Sequence, residues 1–301
     1  MRVKIVALAV VATLALAGCS ASNPAASSSD GGKIRIVAST DVYGDIAKQI
    51  GGSRVTVDSI INDPSQDPHS YEADAQVQLA LSKADIIIEN GGGYDSFVDT
   101  LLKGANNPGS TLFTVAKVSG RDLSPTTGEF NEHLWFDFPT ITKLADLLAA
   151  RFTKLDASGA VAFSANAKRF DAAIAVLVSD EAALKAAHAG EGAAITEPVP
   201  LYLLDAAGLV DKTPVTFSRA IEQGTDVPPL VLRQTLALFT DHAVKLLAYN
   251  EQTSGPETAQ VLAAAKAAGI PVVAVRETLP AGKDYLQWMT DVLAALKTAL
   301  K

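Results

Sequence analysis

Residues 156–190 read DASGAVAFSANAKRFDAAIAVLVSDEAALKAAHAG. Between 157 and 188 there is no proline and a single early glycine, Gly159, while alanine recurs throughout. Asp156 suits an N-cap, and Gly190 follows the far end, where helices commonly stop. Phe163, Phe170, Ile174 and Leu177 keep helical spacing along one stripe. The stretch therefore predicts one helix, and about 30 residues at ~1.5 Å each give it a length on the order of 45 Å. A break near Ser179-Asp180 into two shorter helices is the competing expectation.

On either side of this segment the chain has the same rhythm. Before it, short apolar runs with β-branched residues fall at 34–38, 55–61, 85–89 and 111–115, with helix-compatible stretches at 45–50, 74–82 and 94–102. After it, runs at 193–196, 214–217, 244–249 and 271–275 alternate with helical stretches at 201–207, 229–239, 257–268 and 284–300. Strands alternating with helices argue for parallel sheets covered on both faces. Pro229 and Pro256 sit where a first helical turn tolerates proline, and Gly208 and Gly269 sit where helices end. The expected fold class is α/β, with two (β/α)4 lobes joined by one long, stiff helix.

The first 18 residues, MRVKIVALAVVATLALAG, combine a basic start, an apolar run and small residues, as a secretory leader does. The run is short of the ~20 residues that span a bilayer. Leu16-Ala17-Gly18-Cys19 resembles the bacterial lipobox, so Cys19 is the expected lipidation site. Residues 19–32 are rich in Ser, Ala, Asn, Asp and Gly and read as a flexible tether. The expected organisation is a leader at 1–18, the tether at 19–32, a first lobe at 33–155, the linker helix at 156–190 and a second lobe at 191–301. The protein is expected at the cell membrane, lipid-anchored on the extracytoplasmic side, as a monomer.

Composition removes several classes. With 25 Lys and Arg against 33 Asp and Glu, the net charge of −8 leaves no basic surface for general nucleic-acid binding. A single Cys excludes an intramolecular disulfide and a Cys-based zinc cluster. The sequence has no G-x-S-x-G elbow, H-E-x-x-H helix or G-x-x-x-x-G-K-[ST] loop. Gly91-Gly92-Gly93 lacks the residues of a phosphate cradle and reads as a permissive strand-to-helix turn.

The chain has four histidines. His188 ends the long helix and His242 sits in a turn; both read as surface residues. His69 follows the second apolar run, and His133 lies in the loop after the fourth. Glu197 and Glu277 each follow an apolar run of the second half. Open α/β sheets bind ligands beyond the carboxyl ends of their strands. If the two lobes face each other there, two imidazoles and two carboxylates converge, and the carboxylates neutralise a divalent cation.

The lipobox, Asp67-Pro68-His69 running into Tyr71-Glu72, Glu132-His133-Leu134-Trp135, Thr196-Glu197, and Glu277-Thr278-Leu279-Pro280 with Asp284-Tyr285 and Trp288-Met289 make one pattern. In combination it resembles the zinc/manganese-binding solute-binding proteins of metal ABC transporters, a TroA-like family, over essentially residues 34–300. The resemblance implies two (β/α)4 lobes joined by one long helix, a metal site in the cleft and no enzymatic activity. It implies metal ligands at His69, His133, Glu197 and Glu277, and an ABC permease in the membrane as partner. Two departures bear on the metal. Residues 120–132 contain no histidine, where many zinc-specific members carry a His-rich loop, and Glu197 stands where zinc members usually offer His. Oxygen donors favour Mn²⁺ or Fe²⁺, while Zn²⁺ also accepts two His and two Glu, so the expected cargo is Zn²⁺ or Mn²⁺, with a lean to manganese. The competing functional readings are a two-lobed receptor for a siderophore or cobalamin-type ligand, and an extracellular metallohydrolase.

Cys19→Ala should release the protein from the membrane or leave its leader uncleaved, since no other segment is available to anchor it. Cell fractionation checks this, and a Cys19→Ala protein that is processed yet firmly membrane-bound overturns the lipobox reading.

Overall fold

The computed structural model describes residues 32–301 apart from 64, 65, 67–70, 72, 73 and 127. The leader, Cys19, all of the tether but Gly32, and His69 lie outside the described residues.

The alternating apolar runs become parallel strands. In the first lobe these are β1 (Ile34–Thr40), β2 (Val55–Ile61), β3 (Ile86–Glu89) and β4 (Thr111–Thr114), in the order β2-β1-β3-β4. Helices α1 (Asp41–Gly51), α2 (Ala75–Lys83), α3 (Ser96–Ala105), α4 (Val115–Ser119) and α5 (Phe138–Leu155) flank the sheet. Asp74 caps α2 by accepting the N–H groups of Gln76 and Val77, and Pro139 sits in the first turn of α5. The second lobe repeats the plan with β5 (Gly192–Ile195), β6 (Val210–Asp211), β7 (Leu246–Asn250) and β8 (Val272–Val275), in the equivalent order β6-β5-β7-β8.

Between them runs α6 (Ala160–His188), 29 residues without a break, entered through a 3-10 turn at Ala157–Gly159 that Asp156 caps. Ser179 and Asp180 lie within it and cause no interruption. Its buried face is Phe163, Ala167, Phe170, Ile174, Leu177, Glu181 and Leu184, one residue every three or four. Five of these are Phe, Ile or Leu; at about 2 kcal/mol each they contribute on the order of 10 kcal/mol, the scale of a domain's net stability. One hydrophobic cluster contains this stripe together with residues of both sheets, from Ile36 and Ile88 to Ile195 and Val273.

The remaining helices are α7 (Leu201–Ala206), α8 (Val215–Glu222), α9 (Pro229–Thr240), α10 (Pro256–Ala267) and α11 (Tyr285–Ala299). The run at 214–217, expected as a strand, is the start of α8, and the edge strand is instead the two-residue β6. Val215 is exposed while Phe217, Ser218, Ala220 and Ile221 are buried, so the pattern has helical period and only its first residues imitate a strand. Helix α11 returns to pack on α6 and α1. At that joint Asp45 accepts the N–H of Tyr285 at 2.9 Å, Asp41 accepts that of Leu279 at 3.1 Å, and the Tyr285 hydroxyl donates to the Trp135 carbonyl at 2.6 Å. Among the described residues no helix is long and apolar enough to cross a membrane.

Glu181 is the polar exception on the buried stripe of α6. Burial, with the charge of Asp137 adding, pushes its carboxyl up to about 8. An acid raised in the folded state binds its proton more tightly there than in the unfolded chain. Its contribution to stability is present below its ordinary range near 4.5 and is lost as pH rises through about 8. Glu181→Gln should therefore gain in melting temperature over wild type as pH goes from 5 to 9, and thermal melts of both proteins across that range check it.

Candidate functional site

The sheet register assembles the first half of the site. Ile195 pairs with Ala248, and Asn250 with Val275. Two residues beyond Ile195 comes Glu197, and two beyond Val275 comes Glu277, so both carboxylates are delivered to Asn250, the last residue of β7. The Asn250 amide donates to Glu197 Oε2 at 2.6 Å and to Glu277 Oε1 at 2.9 Å. Its own backbone N–H is held by Thr196 Oγ1 at 2.9 Å. Gln252 fixes the neighbouring backbone, its Oε1 accepting from Glu277 N at 2.6 Å and Thr278 N at 3.1 Å. Glu197 and Glu277 are almost fully buried. Glu197 and Asn250 lie at the ends of β5 and β7, between which the strand order reverses, the place at which open α/β sheets bind ligands, and Glu277 reaches Asn250 from the end of β8.

The first lobe supplies the imidazole. Asn90 follows β3, the strand equivalent to β7. It accepts a hydrogen bond from the buried Tyr43 hydroxyl and donates to the Glu132 carbonyl at 3.0 Å, placing the residue before His133. His133 is 1% exposed, with Tyr94 and Trp135 edge-on at ring separations of 6.1 and 5.2 Å. Its Nδ1 lies 2.6 Å from Asn131 Oδ1, an atom that also accepts the His133 backbone N–H at 3.2 Å. A carbonyl oxygen only accepts, so Nδ1 carries the proton and Nε2 presents its lone pair. An outer partner that fixes tautomer in this way is characteristic of a ligating histidine. The same Asn131 donates to the Pro198 carbonyl at 3.2 Å, and its own carbonyl accepts the Tyr202 hydroxyl at 2.6 Å. The His133 loop is thus tied to the segment carrying Glu197.

A further carboxylate comes from α8. Glu222 Oε1 is 3.8 Å from His133 Nε2. Beside it a cleft of about 890 Å³ is lined by Gly92, Phe130, Glu132, Pro198, Arg219 and Glu222, among others. Burial pushes the Glu197 carboxyl up to about 8; the Glu277 charge adds to this, and hydrogen bonds from Asn250 and Thr253 oppose it. Burial also pushes Glu222 up to about 8, with Glu132 and Glu277 adding and Arg219 opposing. Glu132 rises to about 7 for the same first reason. The region holds several buried carboxylates and little positive charge, an arrangement that a bound cation stabilises.

Of the residues expected from sequence, Glu197 and Glu277 meet at one amide, while the carboxylate 3.8 Å from His133 is that of Glu222. His69 lies outside the described residues. Among the described residues no three His, Cys, Asp or Glu side chains close on a single point. His188 contacts Glu191 at the end of α6, and His242 is exposed in a turn at φ 48°. The glycine turn has φ of 72°, 71° and 109° at Gly91, Gly92 and Gly93. Asp95 engages the amides at the entry to this turn, accepting from Asn90 N at 2.6 Å and Gly91 N at 2.8 Å. Sequence reasoning missed Asn250, Gln252, Asn131 and Glu222. The position of Asn250 at the end of a central strand was the available signal.

Comparison with known proteins gives a consistent picture. The model of the family "ZnuA: Zinc-uptake complex component A periplasmic" matches residues 36–299. Manganese-binding lipoprotein MntA of Bacillus subtilis (strain 168) is 29% identical over 173 residues, 56% of this chain and 55% of that protein. The chain spans about half the length of the curated relatives it matches. Among solved structures, a mutant of the laminin-binding adhesin Lmb from Streptococcus agalactiae superposes with a TM-score of 0.74 at 19% identity, covering 89% of this chain and 100% of that one. The periplasmic zinc-binding protein TroA from Treponema pallidum gives 0.69 at 19% identity, covering 89% of this chain and 99% of that one. At these identities the structures speak for the fold.

Proposed function

The chain belongs to the family of the periplasmic zinc-uptake complex component A, and from that premise we propose that it is an extracytoplasmic receptor that captures a divalent transition-metal ion and delivers it to an ABC permease. The observation that carries this reading is the meeting of Glu197 and Glu277 on the Asn250 amide, together with a buried His133 whose Nδ1 is engaged by Asn131, leaving Nε2 as its donor atom. His69, His133, Glu197 and Glu277 form the proposed donor set, with the first two from the first lobe. The proposed organisation is the one expected from sequence: leader, lipid on Cys19, tether, lobes at 33–155 and 191–301, and the helix between them. The chain acts as a carrier rather than an enzyme, in keeping with its family, and as a monomer.

The metal is Mn²⁺ or Zn²⁺. Two carboxylates and two imidazoles suit both ions, and Glu197 in place of an imidazole raises the oxygen content that favours manganese. The name of the Bacillus subtilis relative supports that preference. The first lobe contributes neutral imidazoles and the second contributes charge. An ion bridging the two stabilises the closed arrangement in proportion to its differential contacts with both.

His133→Ala or His69→Ala should weaken metal binding on the order of 100-fold or more and abolish the rise in melting temperature that metal confers. His188→Ala and His242→Ala should leave both unchanged. Calorimetric titration and melting with and without metal check this; a His242→Ala protein as impaired as His133→Ala would refute the assignment. Glu197→His should lower the ratio of Mn²⁺ to Zn²⁺ affinity, since an anionic oxygen donor is replaced by a neutral nitrogen. Competitive titration with both ions reads that ratio, and an unchanged or higher manganese preference would remove Glu197 from the donor set.

A further inference from the structure

Glu222 is placed where no structural requirement puts it. It is the last residue of α8, at the negative end of the helix dipole, where a carboxylate is disfavoured. Arg219, one turn earlier on the same helix, is engaged in an ion pair with Glu129. The side chain of Glu222 is only 15% exposed, and its Oε1 is buried without a hydrogen-bond partner among the described residues. A polar atom left in that state costs on the order of 1–3 kcal/mol or more. Nothing in the packing of α8 needs an acid there, because the helix is held by Phe217, Ala220 and Ile221.

The distance to His133 gives the position a use. Two donors that each hold a metal ion at about 2.1 Å cannot lie more than about 4.2 Å apart, and Glu222 Oε1 is 3.8 Å from His133 Nε2. The two atoms are therefore close enough to share one cation, which would satisfy Glu222 Oε1. Glu222 also lines the open cleft, together with Glu132 and Pro198, the chain neighbours of His133 and Glu197. We propose that Glu222 is a further cation-contacting carboxylate of this protein, the donor that a metal ion in the cleft meets before it reaches His133. The inference rests on the receptor reading above and deepens it. An additional hard oxygen donor shifts the site toward Mn²⁺ and away from the nitrogen-rich environment that suits Zn²⁺, and a carboxylate at the mouth shortens the path over which an ion sheds water.

The test uses the full chain in detergent, with Mn²⁺ and Zn²⁺ as the probes, measured by equilibrium titration and by stopped-flow association. Glu222→Gln keeps the shape of the side chain and removes its charge. It should lower Mn²⁺ affinity by about 10–100-fold, lower Zn²⁺ affinity less, and slow Mn²⁺ association. Glu222→Asp, which keeps the charge but withdraws it by one methylene, should fall between Glu222→Gln and wild type. Asp226→Asn, at an exposed position four residues on, controls for the loss of one negative charge near the cleft. The metal-free Glu222→Gln protein should melt no lower than wild type, which separates a contact with the ion from a structural role. If Glu222→Gln loses no more than Asp226→Asn in affinity, rate and Mn²⁺ to Zn²⁺ ratio while wild type binds metal, the inference is overturned and the receptor reading stands. If wild type binds neither ion, the receptor reading itself fails.

Discussion

The architecture depends on one packed stripe, the buried face of α6. Because its apolar residues share a hydrophobic cluster with both sheets, the two lobes are not separate bodies on a flexible strap. A close-packed interior resists continuous deformation, so relative motion of the lobes is confined to small displacements that leave the stripe intact. The contacts of α11 with α1 and α6 reinforce this, since a C-terminal helix of the second half closes onto the first. Under the proposed function, the cleft is accordingly a largely pre-formed site in which little ordering is left for ion binding.

Against that rigid frame the electrostatics make sense. Two acids from the strand ends on either side of β7 are held out of water on a single amide, and burial and mutual repulsion raise the affinity of Glu197 for its proton. Hydrogen bonds orient these groups without neutralising them. The arrangement gathers two acids with no cationic side chain among the groups acting on Glu197. Under the proposed function, metal affinity is set chiefly by how well an ion offsets these acids, and selectivity by whether the donors it meets are oxygen or nitrogen.

Much of this was legible in the sequence. The strands of the first lobe and the uninterrupted linker helix follow from apolar period and from where Gly and Pro are absent. The run at 214–217 misled because its first residues, after Pro214, satisfy a strand and a helix equally. That misreading also hid Glu222: a strand ending at Phe217 leaves the carboxylate in a loop, whereas helix α8 carries it to His133. Asn131, Asn250 and Gln252 were invisible for another reason. An amide has no ligand spacing to detect, and its importance comes only from the register that sets it between two acids.

Asn90 and Asn250 stand at equivalent places, each at the end of the third strand across its sheet. They do unlike work. Asn90 grips a backbone carbonyl and so fixes where a loop runs; Asn250 grips two side chains and so fixes where charge sits. The internal repeat is therefore a division of labour between a half that sets position and a half that sets polarity. Neither asparagine is a spare copy of the other, so the duplicated plan supplies no second group to take over the contacts of either one.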